Sequence, residues 1–215
     1  GLENHNIRPF LAYGTLLGAI REQRFMPHDG DMDIGILTSE ATAKTVKPII
    51  ENLGFQTKLL EQNDTDKWPC RLKVENQDGI IVDLVFFHFS ENHLLTYCKY
   101  QNETLVRKRT PFNLRKSEFL GVEVWIPDPP EQFLNENYGN WQEPVKYYHH
   151  ILSSPLTDHS LKVVKYCAKR MFYRLLTLGE YDKAQGLIDQ MLERSEEKRF
   201  WMDISKKFNL FLLKR

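Results

Sequence analysis

The chain contains no apolar run approaching the roughly 18 to 20 residues that a membrane span needs. It also lacks an excess of charge, since Lys+Arg and Asp+Glu both number 29 in its 215 residues. Zero formal net charge gives no reason to expect nucleic acid as a partner, although local charged patches are compatible with it. Cysteine is scarce: Cys70, Cys98 and Cys167 are too widely spaced for a CxxC or Cys/His zinc cluster, and their odd number argues against a disulfide framework. Reduced, buried thiols in a reducing compartment are the remaining expectation. Two Asn-x-Thr triplets, at Asn63 and Asn102, matter only for a secreted protein. No internal repeat is present. The chain opens on Gly-Leu-Glu with neither initiator methionine nor signal peptide, as a piece trimmed from a longer protein would.

What the sequence does contain is an ordinary globular balance, 41% hydrophobic and 27% charged, enough for a real core. LENHNI reads as the end of a helix and PFLAY as a short strand. Gly14-Thr15 then breaks that strand, and LLGAIREQR continues as a helix. RFMPHDG is a loop, and DMDIGIL is a strand with period two. A helix over ATAKTVKPIIENL is expected to be interrupted or kinked near Pro48 and to end at Gly54. Strands follow at FQTKLLE, CRLKVE and GIIVDLVFFHF, then a hairpin-like HLLTYCKY and LVRKR, then a single strand FLGVEVWIP. DPPEQFLNENYG is a short helix started by proline and stopped by Gly139. After about Pro155 the pattern is helical to the end, with breaks at Gly179 and Ser195. The expectation is a mixed α/β chain: a catalytic domain at 1–154 with a short central sheet, and a C-terminal helical appendage at 155–215.

The chemistry is concentrated in HDGDMDIGIL. Alternation puts Asp31, Asp33 and Gly35 on one face of the strand and Met32, Ile34 and Ile36 on the other. The two carboxylates are then about 7 Å apart along the strand, with Asp29 just before them. Like charges this close repel and raise one another's pKa, a cost that a cation between them removes. Hard divalent ions bind through such carboxylates together with substrate phosphates. The alternatives are a solvated acidic turn or an EF-hand-like loop; the latter is disfavoured because Ile34 stands at the sixth position, where that loop needs glycine. Asp83 lies in an almost continuously apolar strand, buried on both faces, where an ionised carboxylate needs either a metal or an Arg or Lys partner. Gly14 and Thr15, at a strand-to-helix turn, suit phosphate contact at a helix N-terminus, although Thr15 also reads as a simple N-cap. Arg21 and Arg24 either clamp phosphates or form a solvated helix face. The adjacent His149 and His150 are expected to point apart, and Tyr138 and Trp141 to anchor the short helix.

The block AYGTLLGAIREQRFMPHDGDMDIGI, the strand IIVDLVFF and the segment NENYGNWQEP together resemble the LicD/fukutin-like phosphotransferases of the polymerase-β-like nucleotidyltransferase superfamily. The resemblance spans roughly Leu2 to Pro144 and leaves the C-terminal helices uncovered. It implies transfer of a polyol phosphate (ribitol or glycerol phosphate) or phosphocholine from a CDP-linked donor to a glycan or glycolipid hydroxyl, as in capsule or teichoic acid synthesis, with release of CMP. It further implies Mg²⁺ or Mn²⁺ held by Asp29, Asp31, Asp33 and Asp83, with Asp31, Asp33 and Asp83 catalytic and Asp83 the candidate base. Gly14, Thr15, Arg21, Arg24 and His28 would bind the donor. The chain departs from many bacterial members at His28, where they have Trp, and at Gly30, where they have Asp.

The implied fold is a nucleotidyltransferase-type core with a helical bundle appended. The implied location is the cytoplasm, with membrane association, or the Golgi lumen in a eukaryote. Lys162, Lys165, Lys169, Arg170 and Arg174 recur at helical spacing. They make residues 158–178 the segment for peripheral membrane or neighbouring-domain contact, the alternative being a helix packed on protein with its cations solvated. Two other functions fit the same carboxylates: transfer of the nucleotide itself, and a non-catalytic scaffold.

Overall fold

The computed structural model describes residues 1–27, 29–60, 71–100, 103–145 and 147–214. These form two compact units, Gly1–Gln142 and Glu143–Arg215, so residues 143–154 go with the helices that follow them.

The first unit is built on a mixed sheet. Its strands are β1 (Phe10–Leu11), β2 (Met32–Leu37), β3 (Gln56–Leu60), β4 (Arg71–Glu75), β5 (Ile81–Ser90), β6 (His93–Tyr100), β7 (Glu103–Arg109), β8 (Asn113–Phe119) and β9 (Val122–Asp128). The order across the sheet is β3-β4-β5-β2-β1-β9-β8, with the β6–β7 hairpin extending the far half of β5. At its centre β2 and β5 run parallel. The other neighbours are antiparallel, except that β1 runs parallel to β9. The expected short sheet therefore has nine strands among the described residues.

Two apolar layers cover the sheet. On one face α1 (Tyr13–Arg21) and α3 (Pro130–Tyr138) pack over Phe10, Val85, Phe87 and Ile126. On the other, α2 (Ala43–Asn52) buries Ala43, Val46 and Ile50 against Ile36, Leu72, Leu84 and Phe86. The alternation along β2 and β5 sorts their side chains between these layers, and so places Asp33 and Asp83 on the α1 face.

Several expectations change. The N-terminal segment is a 3-10 turn at Leu2–His5. Helix α2 passes through Pro48, which is exposed, without ending there. FLGVEVWIP is not one strand. It is the turn and second arm of the β8–β9 hairpin, reversed at Leu120-Gly121, both with positive φ (52° and 77°). Helix α1 stops at Arg21, because the chain folds back so that the Arg24 carbonyl lies 2.6 Å from where a Cβ on Gly18 would be. A larger residue at Gly18 would block that turn.

The second unit contains α4 (Lys162–Thr177), α5 (Tyr181–Arg194) and α6 (Lys198–Leu212). Val163, Val164, Cys167, Ala184, Leu187, Ile188, Met191 and Trp201 are buried within it. Two cations of α4 are engaged there, Lys165 with Glu196 and Lys169 with Glu197. The rings of His149 and His150 do not diverge but stack 4.8 Å apart, in a segment outside helix and strand. Among the described residues no helix is long and apolar enough to cross a membrane. Cys167 is buried and Cys98 half-buried; Cys70 lies outside the described residues.

Candidate functional site

Parallel pairing of β2 with β5 sets Asp33 directly beside Asp83 in register. Paired residues on parallel strands point to the same face, so the two carboxyl groups are neighbours although fifty positions apart in sequence. Asp31 stands just before β2, and the turn carrying Asp29 comes back over α1. A Cβ on Gly14 would lie 2.5 Å from Asp29 Oδ2 and 3.3 Å from Asp33 Oδ2. Gly14 is therefore required because carboxylates close over its α-carbon.

The N-terminus of α1 meets this acidic cluster. Its N-cap, Ala12, has no side chain with which to cap. Instead the Gly14 N–H, one of the donors left open in the first helical turn, donates to Asp33 Oδ2 at 3.0 Å. In return the Asp33 N–H donates to Thr15 Oγ1 at 2.8 Å. Thr15 is only 1% exposed, so its hydroxyl positions Asp33 and is not open to a ligand. Tyr13, at the first helical position, has φ of +39°; backbone strain of this kind persists only where the surroundings over-determine it.

Burial raises the Asp33 pKa to about 7, with the Asp31 and Asp29 charges adding to the rise; the Gly14 N–H and Arg71 oppose it. Asp83, 1% exposed, has the second of the two alternative partners expected for a buried carboxylate, an arginine: Arg71 on β4 donates to its Oδ2. The same guanidinium is 4.0 Å from Asp31 Oδ2. Among the described residues no three His, Cys, Asp or Glu side chains are already gathered for one ion, and Arg71 stands between two of the acids. The residues nonetheless suit a hard divalent cation. All donors are carboxylate oxygens, Asp83 Oδ1 is buried without a hydrogen-bond partner among the described residues, and Asp33 carries a charge penalty that a cation would relieve.

The expected donor-binding residues divide. Gly14 lies at the cluster, whereas Arg21 donates to the Trp141 carbonyl and pairs with Glu22. It therefore ties α1 to the segment after α3. Arg24 is exposed, past the helix end, and also pairs with Glu22; His28 lies outside the described residues. Trp141 is buried, and Tyr138 packs against the same core as α3, the anchoring role expected of both. Sequence reasoning missed Arg71. Its only signal was alternation in RLKVE, which puts Leu72 and Val74 in the core and Arg71 and Lys73 on the face of Asp83.

Comparison with known proteins finds relatives of this chain. The chain is 28% identical over 176 residues to an uncharacterised protein of Rickettsia prowazekii, covering 77% of this chain and 60% of that one. A second uncharacterised protein, from Rickettsia typhi, is 30% identical over 169 residues, covering 74% of this chain and 47% of that protein. The human ribitol-5-phosphate transferase FKTN is 26% identical over 144 residues, covering 64% of this chain and 30% of the human protein. The chain thus spans less than two thirds of the length of each. The family model described as LicD/FKTN/FKRP, nucleotidyltransferase domain, matches residues 6–129, which hold α1, β2 and β5 with all four aspartates. With more than half of its length matched, the chain belongs to the LicD/FKTN/FKRP nucleotidyltransferase-domain family.

Proposed function

We propose that the chain is the catalytic domain of a divalent-cation-dependent transferase. It moves a phosphorylated small group (ribitol phosphate, glycerol phosphate or phosphocholine) from a CDP-linked donor to a hydroxyl of a glycan or glycolipid, releasing CMP. One observation carries the reading: Asp33 and Asp83 lie side by side on parallel strands, on the face that meets the N-terminus of α1. Family membership and the resemblance to a ribitol-5-phosphate transferase support the same reaction class.

Asp31, Asp33 and Asp83, with Asp29 beside Gly14, would hold Mg²⁺ or Mn²⁺, which would neutralise charge on the phosphate oxygens. Thr15 and Gly14 fix Asp33 from both ends, through its own N–H and its carboxylate. The α1 N-terminus adds a favourable dipole for an anionic phosphate. Asp83 would be the group that accepts the proton of the attacking hydroxyl.

Incubation with CDP-ribitol, CDP-glycerol or CDP-choline and candidate glycans, followed by chromatography, tests this. CMP should appear with Mg²⁺ and not with EDTA. A nucleotidylated acceptor in place of CMP would put the attack on the other phosphate and overturn the reading.

The Asp33 shift adds a pH dependence. The folded protein holds this proton up to about pH 7, whereas an ordinary aspartate releases it near 3.8. Between those values the folded state binds more protons than the unfolded state, so without a divalent cation stability falls as pH rises through this window. A cation competes with the same proton. Mn²⁺ affinity, measured calorimetrically, should therefore rise about tenfold per pH unit up to about pH 7 and then level off. A flat profile from pH 5 to 8 would contradict the assignment of Asp33 as a ligand.

A further inference from the structure

We propose that Arg71 is an internal counter-cation that holds Asp83 and Asp31 until a divalent cation replaces it, and that its released guanidinium then serves the anionic substrate. This deepens the reading above and rests on it. Asp83 is 1% exposed, and a carboxylate so buried does not stay ionised without a positive partner. Arg71 provides that partner, yet the pair is not the two-point fork that makes guanidinium–carboxylate contacts strong. Nη2 alone reaches Oδ2, leaving Asp83 Oδ1 and Arg71 Nε buried with no hydrogen-bond partner among the described residues. A one-point pair is easier to exchange than a forked one, and the unmatched Oδ1 is the atom a metal ion would use.

Geometry also gives Arg71 somewhere to go. Its side chain is 38% exposed and comes from β4, which borders β5 on the side away from β2. It can swing outward, whereas Asp83 cannot follow. The same guanidinium lies 4.0 Å from Asp31, so one movement uncovers two carboxylates and leaves a cation beside the place where the donor phosphates would bind. Lys73 provides an internal control. It lies on the same face, directly opposite Asp83 in register, and carries the same charge.

Labelling arginines of the wild-type protein with a dicarbonyl reagent, read by peptide mass spectrometry with and without saturating Mn²⁺, tests the exchange. Arg71 should be labelled several-fold faster with Mn²⁺, because the ion frees it. Calorimetry on variants gives the second readout. Arg71→Met should tighten Mn²⁺ binding by about tenfold, and Lys73→Met, which removes only a nearby charge, by about twofold. Unchanged or slower labelling of Arg71 in a protein that does bind Mn²⁺ overturns the exchange and leaves the carboxylate site standing. Equal effects of the two substitutions would do the same. Wild-type protein that binds no Mn²⁺ at neutral pH overturns both.

Discussion

On the proposed function, Asp33→Asn should lower turnover of a CDP-linked donor by about a thousandfold, because a charge that stabilises the transition state is worth several kcal/mol. The fold survives. The asparagine Oδ1 still accepts the Gly14 N–H, and the backbone N–H of residue 33 still reaches Thr15 Oγ1. Stability even changes in the opposite sense to activity. Above pH 7 the wild-type carboxylate is ionised in a buried place beside Asp29 and Asp31, so without a divalent cation the asparagine variant should unfold at a higher temperature than wild type. Near pH 5 the folded Asp33 is neutral while the unfolded one is still ionised, so the difference should be smaller than at pH 8, closing only as the pH falls to about 3.8. Activity assays and thermal melts at pH 5 and 8 check both halves. A variant that is inactive and also destabilised at pH 8 would make Asp33 a structural residue.

The second large effect lies one step along the same face. Gly35 pairs with Phe10 across β1 and β2, and a Cβ on Gly35 would lie 2.1 to 2.7 Å from three atoms of the Phe10 ring. The ring cannot yield, since Phe10 is fully buried and packs on Phe87 and Phe112 at centroid distances of 5.2 and 5.5 Å. Gly35→Ala should therefore cost about 3 kcal/mol or more, at or beyond the upper end of ordinary overpacking, read as a lower urea midpoint. Phe10→Leu in the same chain should restore part of that loss by making room. If Gly35→Ala unfolds at the wild-type midpoint, the close packing of β1 on β2 is wrong.

Much of this arrangement is legible in the sequence because period two is strong where it matters. The alternation in DMDIGIL assigns its aspartates to one face, and the apolar continuity around Asp83 marks a central strand. Both strands and their carboxylates lie where the pattern puts them. The C-terminal helices are equally clear, since their apolar positions recur with helical spacing.

What could not be read depends on contacts between distant segments. Arg71 and Asp83 meet only because β4 pairs antiparallel with β5, and nothing local in RLKVE announces that. Thr15 looks like a phosphate ligand or an N-cap until Asp33 is seen to occupy its hydroxyl. Gly35 looks incidental until Phe10 lies across it. The β8–β9 hairpin escaped because its turn is Leu120-Gly121, with an apolar residue where turns usually carry Asn or Asp. Arg21 is a further case: its helix position fits a clamp, but the Trp141 carbonyl, far along the chain, takes its guanidinium.

The central claim is that Asp31, Asp33 and Asp83 serve one divalent cation at the N-terminus of α1. Anomalous diffraction from crystals soaked in Mn²⁺ with a CDP-linked donor tests it most directly. The expected map has a manganese peak touching oxygens of Asp33 and Asp83, donor phosphate against it, and Arg71 withdrawn from Asp83. Donor bound elsewhere, or a manganese peak away from these carboxylates while Arg71 remains on Asp83, would contradict it.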